Sequence, residues 1–583
     1  MNRHKTYLGL GLLLILSGIV MPQGWYNPLP QREVLPPPPV SGFLLLQISI
    51  ALQGATLLWL GFRRWQFATI EANCRLSLPA VAVESPGPRR FYTWPLAAVT
   101  LLGLALRLVS LNSDLWLDEI TPILNYRNAS MWQVAISYIS SNNHLLNTLL
   151  VKLCVSIFGE QEWAIRLPAV IFGTATIPAI YWVSRQVLSR RASECVALLL
   201  AVSYHHIFFS QNARAYTAYV LFSLLSSALF VKALHEDRAR VWVWYVLTTV
   251  LNFASILISG FVFAAHILVG CLALFWIRSR GGSPTPLLKR LIGVFTIIGF
   301  LGFQLYAAVL PQMYVYMHSV YTDPSAGFSP FSAEFLVEIA RGVSAGFGTG
   351  LLFGAIPFLI IAGVGYLVLL RRNWPLIVGL TAPGVLKAAL LIVLGLVFSP
   401  RFFILVLPLA ILVAVQGIDN IASFGARILK RSPAFSYWLS VGLVLLLSTL
   451  SLASLPPYYA VPKQAYRSSL EYVETTRNPN DIVIVIHLAE PGYRYYGERY
   501  GIHEGKDYFD VRSVAALDEV LSKYNGRRSW LVITFPRALR KSFPDLEARI
   551  KQSWIVAKEF PGTVGDGDIS VWQMIAISDD RPD

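Results

Sequence analysis

Charge is what this sequence has least of. Only 14% of its 583 residues are Asp, Glu, Lys or Arg, where a soluble globular domain carries about 25%. A mainly soluble enzyme is excluded. Cysteine is scarce as well: Cys74, Cys154, Cys195 and Cys271 lie in or near apolar segments with no CxxC pair. That pattern predicts neither a disulfide framework nor a cysteine metal site. There is no internal repeat, and the one low-complexity run, Pro36–Pro39, reads as a stiff linker. Arg3 and Lys5 precede an apolar stretch from Tyr7 to Val20, but Met-Pro-Gln-Gly follows in place of a cleavage site, so the segment reads as a retained anchor.

What is abundant is apolar residues, 55% of the chain, in runs long enough to span a bilayer from Leu8 to Leu455. Thirteen spans are expected, at 5–21, 41–62, 93–110, 164–187, 194–209, 215–234, 240–257, 259–277, 289–310, 348–370, 374–398, 401–417 and 436–455. The net charge of +15 divides unevenly: residues 456–583 hold 17 basic and 18 acidic side chains, and residues 1–455 hold 31 and 15. Basic residues beside membrane spans follow the positive-inside rule, so the excess reports topology and gives no support to a nucleic-acid partner. With the amino terminus in the cytoplasm, pairs such as Arg63-Arg64, Arg89-Arg90, Arg190-Arg191, Lys289-Arg290, Arg371-Arg372 and Lys430-Arg431 share one side. Arg214, Arg341 and Arg401 are scattered on the other, and the odd span count puts the tail outside the cytoplasm.

Three outer segments are long enough to hold more than a turn, the Pro-rich stretch around Pro36–Pro39, 111–163 and 311–347, and the last two matter most. Within 111–163, residues 144–158 are apolar but short for a span and carry Asn147 and Lys152, which predicts a helix lying at the outer surface. After Pro456-Pro457 the pattern changes. Helices are expected at 465–477, 515–525 and 538–552, and strands at 481–487, 529–535, 554–559 and 569–577. Such alternation describes a small α/β unit. The fold class is therefore an α-helical polytopic membrane protein with a small extracytoplasmic α/β C-terminal domain. Its parts are a two-helix extension with a Pro-rich loop (1–92), a transmembrane catalytic domain (93–455) and the α/β domain (456–583).

Ionisable residues at a membrane lip are functional candidates because they are costly there. Four places qualify: Asp118-Glu119 in Leu-Trp-Leu-Asp-Glu-Ile, His144 after Asn142-Asn143, Arg214 in Ser-Gln-Asn-Ala-Arg-Ala-Tyr216, and Arg401 in Phe-Ser-Pro-Arg-Phe-Phe. One carboxylate and two fixed arginines suit group transfer from a phosphate leaving group to a hydroxyl. The base activates the acceptor, and the planar arginine forks hold the phosphate. Lys387, inside an expected span, needs a partner or a hydrated cavity.

At these residues the sequence resembles the bacterial membrane glycosyltransferases of the GT-C type, near protein O-mannosyltransferases, aminoarabinose transferases and glycosyltransferase family 39. The resemblance covers roughly 93–417 and also rests on Gly159-Glu-Gln-Glu-Trp-Ala-Ile-Arg-Leu-Pro168 and Pro400-Arg-Phe-Phe-Ile-Leu-Val-Leu-Pro408. Where relatives often read His-Pro-Pro-Leu, this chain has His144-Leu-Leu-Asn. The resemblance implies an inverting transferase of the inner (plasma) membrane, taking a sugar from a polyprenyl-phosphate donor to a lipid, glycan or protein acceptor. Carried over by position, Asp118 is the catalytic carboxylate, and Glu119 stands beside it in an orienting or ion-binding role. Asn143, His144, Arg214, Tyr216, Lys387 and Arg401 are the substrate-binding residues expected on this reading. No metal is committed, although Asp118, Glu119 and His144 leave room for a divalent ion.

Blander roles compete at each position. The competing role for Asp118 is the cap of a helix beginning near Ile120, with Thr121-Pro122 in its first turn. Arg214 and Arg401 read as snorkelling to headgroups, and His205-His206 as structural. The tyrosines of Tyr493–Tyr500 read as helix-to-sheet packing. A lipid-linked-sugar flippase and a non-catalytic scaffold are the rival classes.

Overall fold

The computed structural model describes residues 3–30, 40–62, 94–140, 142–320, 332, 333, 337, 351–394 and 400–575. Pro36–Pro39, Arg63, Arg64, Cys74, Arg89, Arg90, Arg341, Phe398 and most of 321–347 lie outside them.

The chain is a mostly helical, multi-pass membrane protein with a small sheet unit at its end. The first helices are α1 (Arg3–Val20), α2 (Gly42–Phe62), α3 (Trp94–Leu108), α4 (Leu117–Tyr126), α5 (Met131–Ile136), α6 (Leu145–Phe158), α7 (Glu162–Ser184), α8 (Arg190–Val202), α9 (Tyr204–Ser210) and α10 (Tyr216–Glu236). Among the described residues seven helices are long and apolar enough to cross a membrane. They are α7, α10, Leu257–Ser279, Thr285–Tyr306, Trp374–Val393, Val406–Ile428 and Pro433–Ala460. The pair α8 and α9, bent by 57°, makes an eighth if taken as one span. Helix lies at each expected span, but α1, α2 and α3 are shorter apolar segments, and Ala239–Ser255 and Leu351–Arg372 are not among these seven or the bent pair either.

Two spans differ from expectation for identifiable reasons. The one expected at 194–209 breaks at Ser203, whose backbone is extended. Ser451 repairs the break: its hydroxyl accepts from the Tyr204 amide at 3.3 Å and donates to the Val202 carbonyl at 2.9 Å. A bilayer demands such internal repair of freed backbone groups. The span expected at 401–417 instead runs from Val406 to Ile428, after a 3₁₀ turn at Pro400–Phe403. Pro408 has no N–H to return to Ile404, and the Leu407 amide takes that carbonyl at 3.1 Å.

Close packing inside the membrane part uses glycine. A Cβ on Gly365 would lie 1.9 Å from the Val413 carbonyl, and one on Gly417 would lie 1.9 Å from that of Ile361. Helices Leu351–Arg372 and Val406–Ile428 therefore approach backbone to backbone, as small residues permit. A helix is expected at 144–158, and α6 is found there, 14 residues and roughly 21 Å long.

The C-terminal sheet contains β1 (Ile482–Ile486), β2 (Phe509–Val511), β3 (Ser529–Thr534), β4 (Trp554–Phe560) and β5 (Ile569–Met574), in the order β2-β1-β3-β5-β4. β1 is parallel to β2 and β3, and β5 is antiparallel to β3 and β4. β1 and β3 are buried throughout, which matches their unbroken apolar runs. β2 has three residues, too few to show alternation, and was not expected. The helix expected at 538–552 is two, Pro536–Ser542 and Pro544–Ser553, because Pro544 starts a new one. Tyr493, Tyr495 and Tyr496 are buried in helix Glu490–Gly497, so they pack the core.

Candidate active site

The site is built around the start of α4. Its N-cap position is Trp116, which offers no side-chain hydrogen bond to the helix. Glu119, three residues on, reaches back to the Trp116 amide at 3.3 Å. Asp118 lies in the first turn, where the helix dipole favours a carboxylate. The helix begins at Leu117, so Pro122 is internal, which corrects the reading of a helix starting near Ile120.

That proline has a local consequence. Without an N–H it leaves the Asp118 carbonyl without its intrahelical donor. Arg214 fills the vacancy, its NH1 donating to Asp118 O at 3.3 Å and to Asn142 O at 3.4 Å. The Asp118 side chain is also held: Arg401 NH1 donates to Oδ2 at 2.8 Å and Asn142 Nδ2 to Oδ1 at 3.4 Å. One residue is thus gripped through its backbone by one arginine and through its carboxylate by another.

Around this centre, the Arg214 guanidinium lies 5.9 Å from the Tyr216 ring and that of Arg401 lies 5.9 Å from the Trp116 ring. His144 meets Tyr216 edge-on with centroids 6.3 Å apart. Burial, reinforced by the charges of Arg214 and Arg401, holds the His144 imidazole well below its ordinary pKa. It stays neutral, and its buried Nε2 has no hydrogen-bond partner among the described residues. Lys387 is buried with its ammonium 4.1 Å from the Phe403 ring, two residues from Arg401. Asn143 is turned elsewhere, donating to Ser137 O at 2.9 Å and accepting from Thr148 at 3.1 Å.

Glu119 belongs to a second, fully buried cluster. Its carboxylate accepts from Arg166 Nε at 2.9 Å and NH2 at 2.8 Å and from the Ala213 amide at 2.7 Å, with Lys463 Nζ at 3.6 Å. Burial opposes its ionisation, but the Arg166 and Lys463 charges outweigh that and hold its pKa down to about 2. One carboxylate cannot neutralise two cations. Arg166 makes the bidentate contact, and Lys463 is the surplus charge, pushed down to about 7 by burial. Through Ala213, Glu119 fixes the turn that carries Arg214, and Asn147 Nδ2 holds the same turn at Ala213 O, 2.9 Å.

The structure therefore brings together Asp118, His144, Arg214, Tyr216 and Arg401, places Lys387 at their edge, and separates Glu119 and Asn143 from them. Among the described residues no three His, Cys, Asp or Glu side chains are grouped to hold a metal ion. Sequence reasoning passed over Asn142 in favour of its neighbour, and it missed Arg166 and Lys463. Arg166 stands within the quoted Glu-Gln-Glu-Trp-Ala-Ile-Arg motif, which was the available signal. Lys463 carried none.

Comparison with known proteins covers part of this site: Arg166, Arg214 and Tyr216 fall within the matched residues, and Asp118, His144 and Arg401 lie outside them. Residues 145–303 match the family model of dolichyl-phosphate-mannose-protein mannosyltransferases. That stretch, less than half the chain, lies within the part that resembles GT-C glycosyltransferases and bears the resemblance out. Among solved structures the chain is similar to ArnT from Cupriavidus metallidurans bound to undecaprenyl phosphate, at 13% identity over 83% of this chain and 98% of that one, with a TM-score of 0.44. It is also similar to the oligosaccharyltransferase AglB from Archaeoglobus fulgidus in complex with an inhibitory peptide and a dolichol-phosphate. There the identity is 13% over 79% of this chain and 72% of the other, with a TM-score of 0.48. No curated protein matches significantly.

Proposed function

We propose that this protein is an inverting glycosyltransferase that moves a sugar from a polyprenyl-phosphate donor to a hydroxyl of a lipid, glycan or protein acceptor. The observation that carries the reading is the convergence of one carboxylate, Asp118, with two arginines, Arg401 on its side chain and Arg214 on its carbonyl. The family match, whose description names a dolichyl-phosphate-linked mannose, supports a lipid-phosphate donor.

In this reading Asp118 takes the proton of the acceptor hydroxyl as its oxygen bonds to the anomeric carbon. The bond from that carbon to the phosphate oxygen breaks on the opposite face, which inverts the centre. The electron pair leaves on polyprenyl phosphate, a weak base that needs no proton, and Arg214 and Arg401 hold it. Cations preorganised where negative charge develops are usually the largest contribution to such catalysis. Neutral His144 and Tyr216 border the sugar, and Lys387 adds a third cation towards the lipid. Glu119 and Asn143 act by shaping the loops. The reaction takes place at the outer face of the inner membrane, with the amino terminus in the cytoplasm. Residues 1–92, 93–455 and 456–583 form a membrane extension, a catalytic part and an outer α/β part.

The test is transfer of radiolabelled sugar from a panel of polyprenyl-phosphate sugars, in membranes carrying wild-type protein or Asp118→Asn. Transfer by the wild type with loss of at least a hundredfold in the variant, at equal expression, is expected. Near-normal transfer by Asp118→Asn refutes the mechanism. Movement of labelled lipid across liposomes without transfer refutes the enzyme and favours a flippase.

A further inference from the structure

The segment that carries Asp118 is fastened from far along the chain. Arg467 donates its amide to Asp114 Oδ2 at 2.8 Å, and Leu115 donates its amide to the Tyr496 hydroxyl at 2.7 Å. Leu117 donates its amide to Gln464 Oε1 at 2.7 Å, and Lys463 stands 3.6 Å from Glu119. Four of the six residues from Asp114 to Glu119 are thus tied to the start of the C-terminal unit or to one of its helices.

The Gln464 contact differs from the rest in where it acts. A helix leaves its first amides without partners, and an N-cap Ser, Thr, Asp or Asn normally serves one of them. Trp116 cannot. The first amide of α4, on Leu117, is served instead by Gln464, which is fully buried. The other end of that side chain donates to Thr534 Oγ1 at 3.0 Å. Thr534 is the last residue of β3 and itself donates to Asp568 O at 3.0 Å. A continuous hydrogen-bonded line therefore runs from the sheet to the residue next to Asp118.

We infer that Gln464 is a positioning residue for Asp118, a helix cap supplied from across the molecule, and that the C-terminal α/β unit completes the active site. The inference rests on the transferase reading above. Gln464 touches neither donor nor acceptor in that reading. Its effect is on where the first turn of α4 holds its carboxylate, and a displacement of about 1 Å there costs on the order of a hundredfold in rate.

The experiment uses the full-length protein with Gln464→Met, which keeps length and loses the acceptor oxygen, and Gln464→Glu, which keeps an acceptor. Hydrogen exchange of the 114–121 peptide is measured beside transfer kinetics and thermal melting. For Gln464→Met we expect at least tenfold faster exchange confined to that peptide and a ten- to hundredfold lower kcat at unchanged donor KM. Gln464→Glu keeps the acceptor for Leu117 but loses the donor to Thr534, so it should restore part of both. Wild-type exchange and kcat in Gln464→Met overturn the inference, as does loosening spread over β1, β3 and β5 with a lowered melting temperature. If wild-type protein transfers from no donor while exchange still responds to Gln464→Met, the transferase reading fails and the cap stands as structure alone.

Discussion

Replacing Glu119 by glutamine keeps the shape of the side chain and removes the one negative charge that Arg166 and Lys463 share. Arg166 is 1% exposed and Lys463 3%, so neither can turn to water. Breaking a buried ion pair from one side costs about 3–5 kcal/mol. The pKa route agrees: a carboxyl held at about 2 against an ordinary 4.5 corresponds to about 3 kcal/mol. Because the folded pKa is the lower one, this stability is present above pH 4.5 and is lost as the pH falls towards 2. Glu119→Gln should therefore lower the free energy of unfolding in a detergent titration at pH 7 by about 3 kcal/mol, and flatten the acid loss between pH 4.5 and 2. Glu119→Gln with Arg166→Met should recover part of the deficit, since removing both partners leaves less charge stranded. A variant as stable as wild type at pH 7 would refute the assignment of Glu119 to a structural ion cluster.

Pro122→Ala returns a backbone amide to the Asp118 carbonyl and competes with Arg214 for it. The expected outcome is unchanged or higher thermal stability with a several-fold lower transfer rate, read by melting and radiolabel assay side by side. Lys463 tests the other half of the buried cluster. Its folded pKa of about 7 lies below the ordinary 10.5, so the unfolded chain holds a proton that the folded chain has released. Stability should rise as the pH goes from about 7 to 10.5, and Lys463→Met should abolish that slope.

Much of the fold was legible because membranes impose a coarse rule: helix lies at the expected spans, broken at Ser203 in one and shifted to Val406–Ile428 in another, and the tail's apolar runs 481–487 and 529–535 became two buried inner strands of its sheet. The errors arose where a backbone donor is missing or a break is repaired at long range, at Ser203, Pro408 and Pro544. In the site, Asp118, His144, Arg214, Tyr216 and Arg401 could be singled out from charge at the membrane lip and from family resemblance. Asn143 and Asn142 are adjacent, and a turn decides which one faces Asp118, a choice that spacing does not encode. Glu119 looked like half of an acidic pair. Its partners lie 47 and 344 positions away, and no local pattern announces them.

Those separations bear on how the protein is made. Leu117 meets Gln464 across 347 residues and Leu115 meets Tyr496 across 381. A ribosome adding about 5–20 residues per second needs on the order of twenty seconds to a minute or more to cover such a gap. During that interval the first turn of α4 is present without the acceptor that serves its Leu117 amide. A chain stalled before residue 464 therefore carries α4 without the acceptor for its first amide.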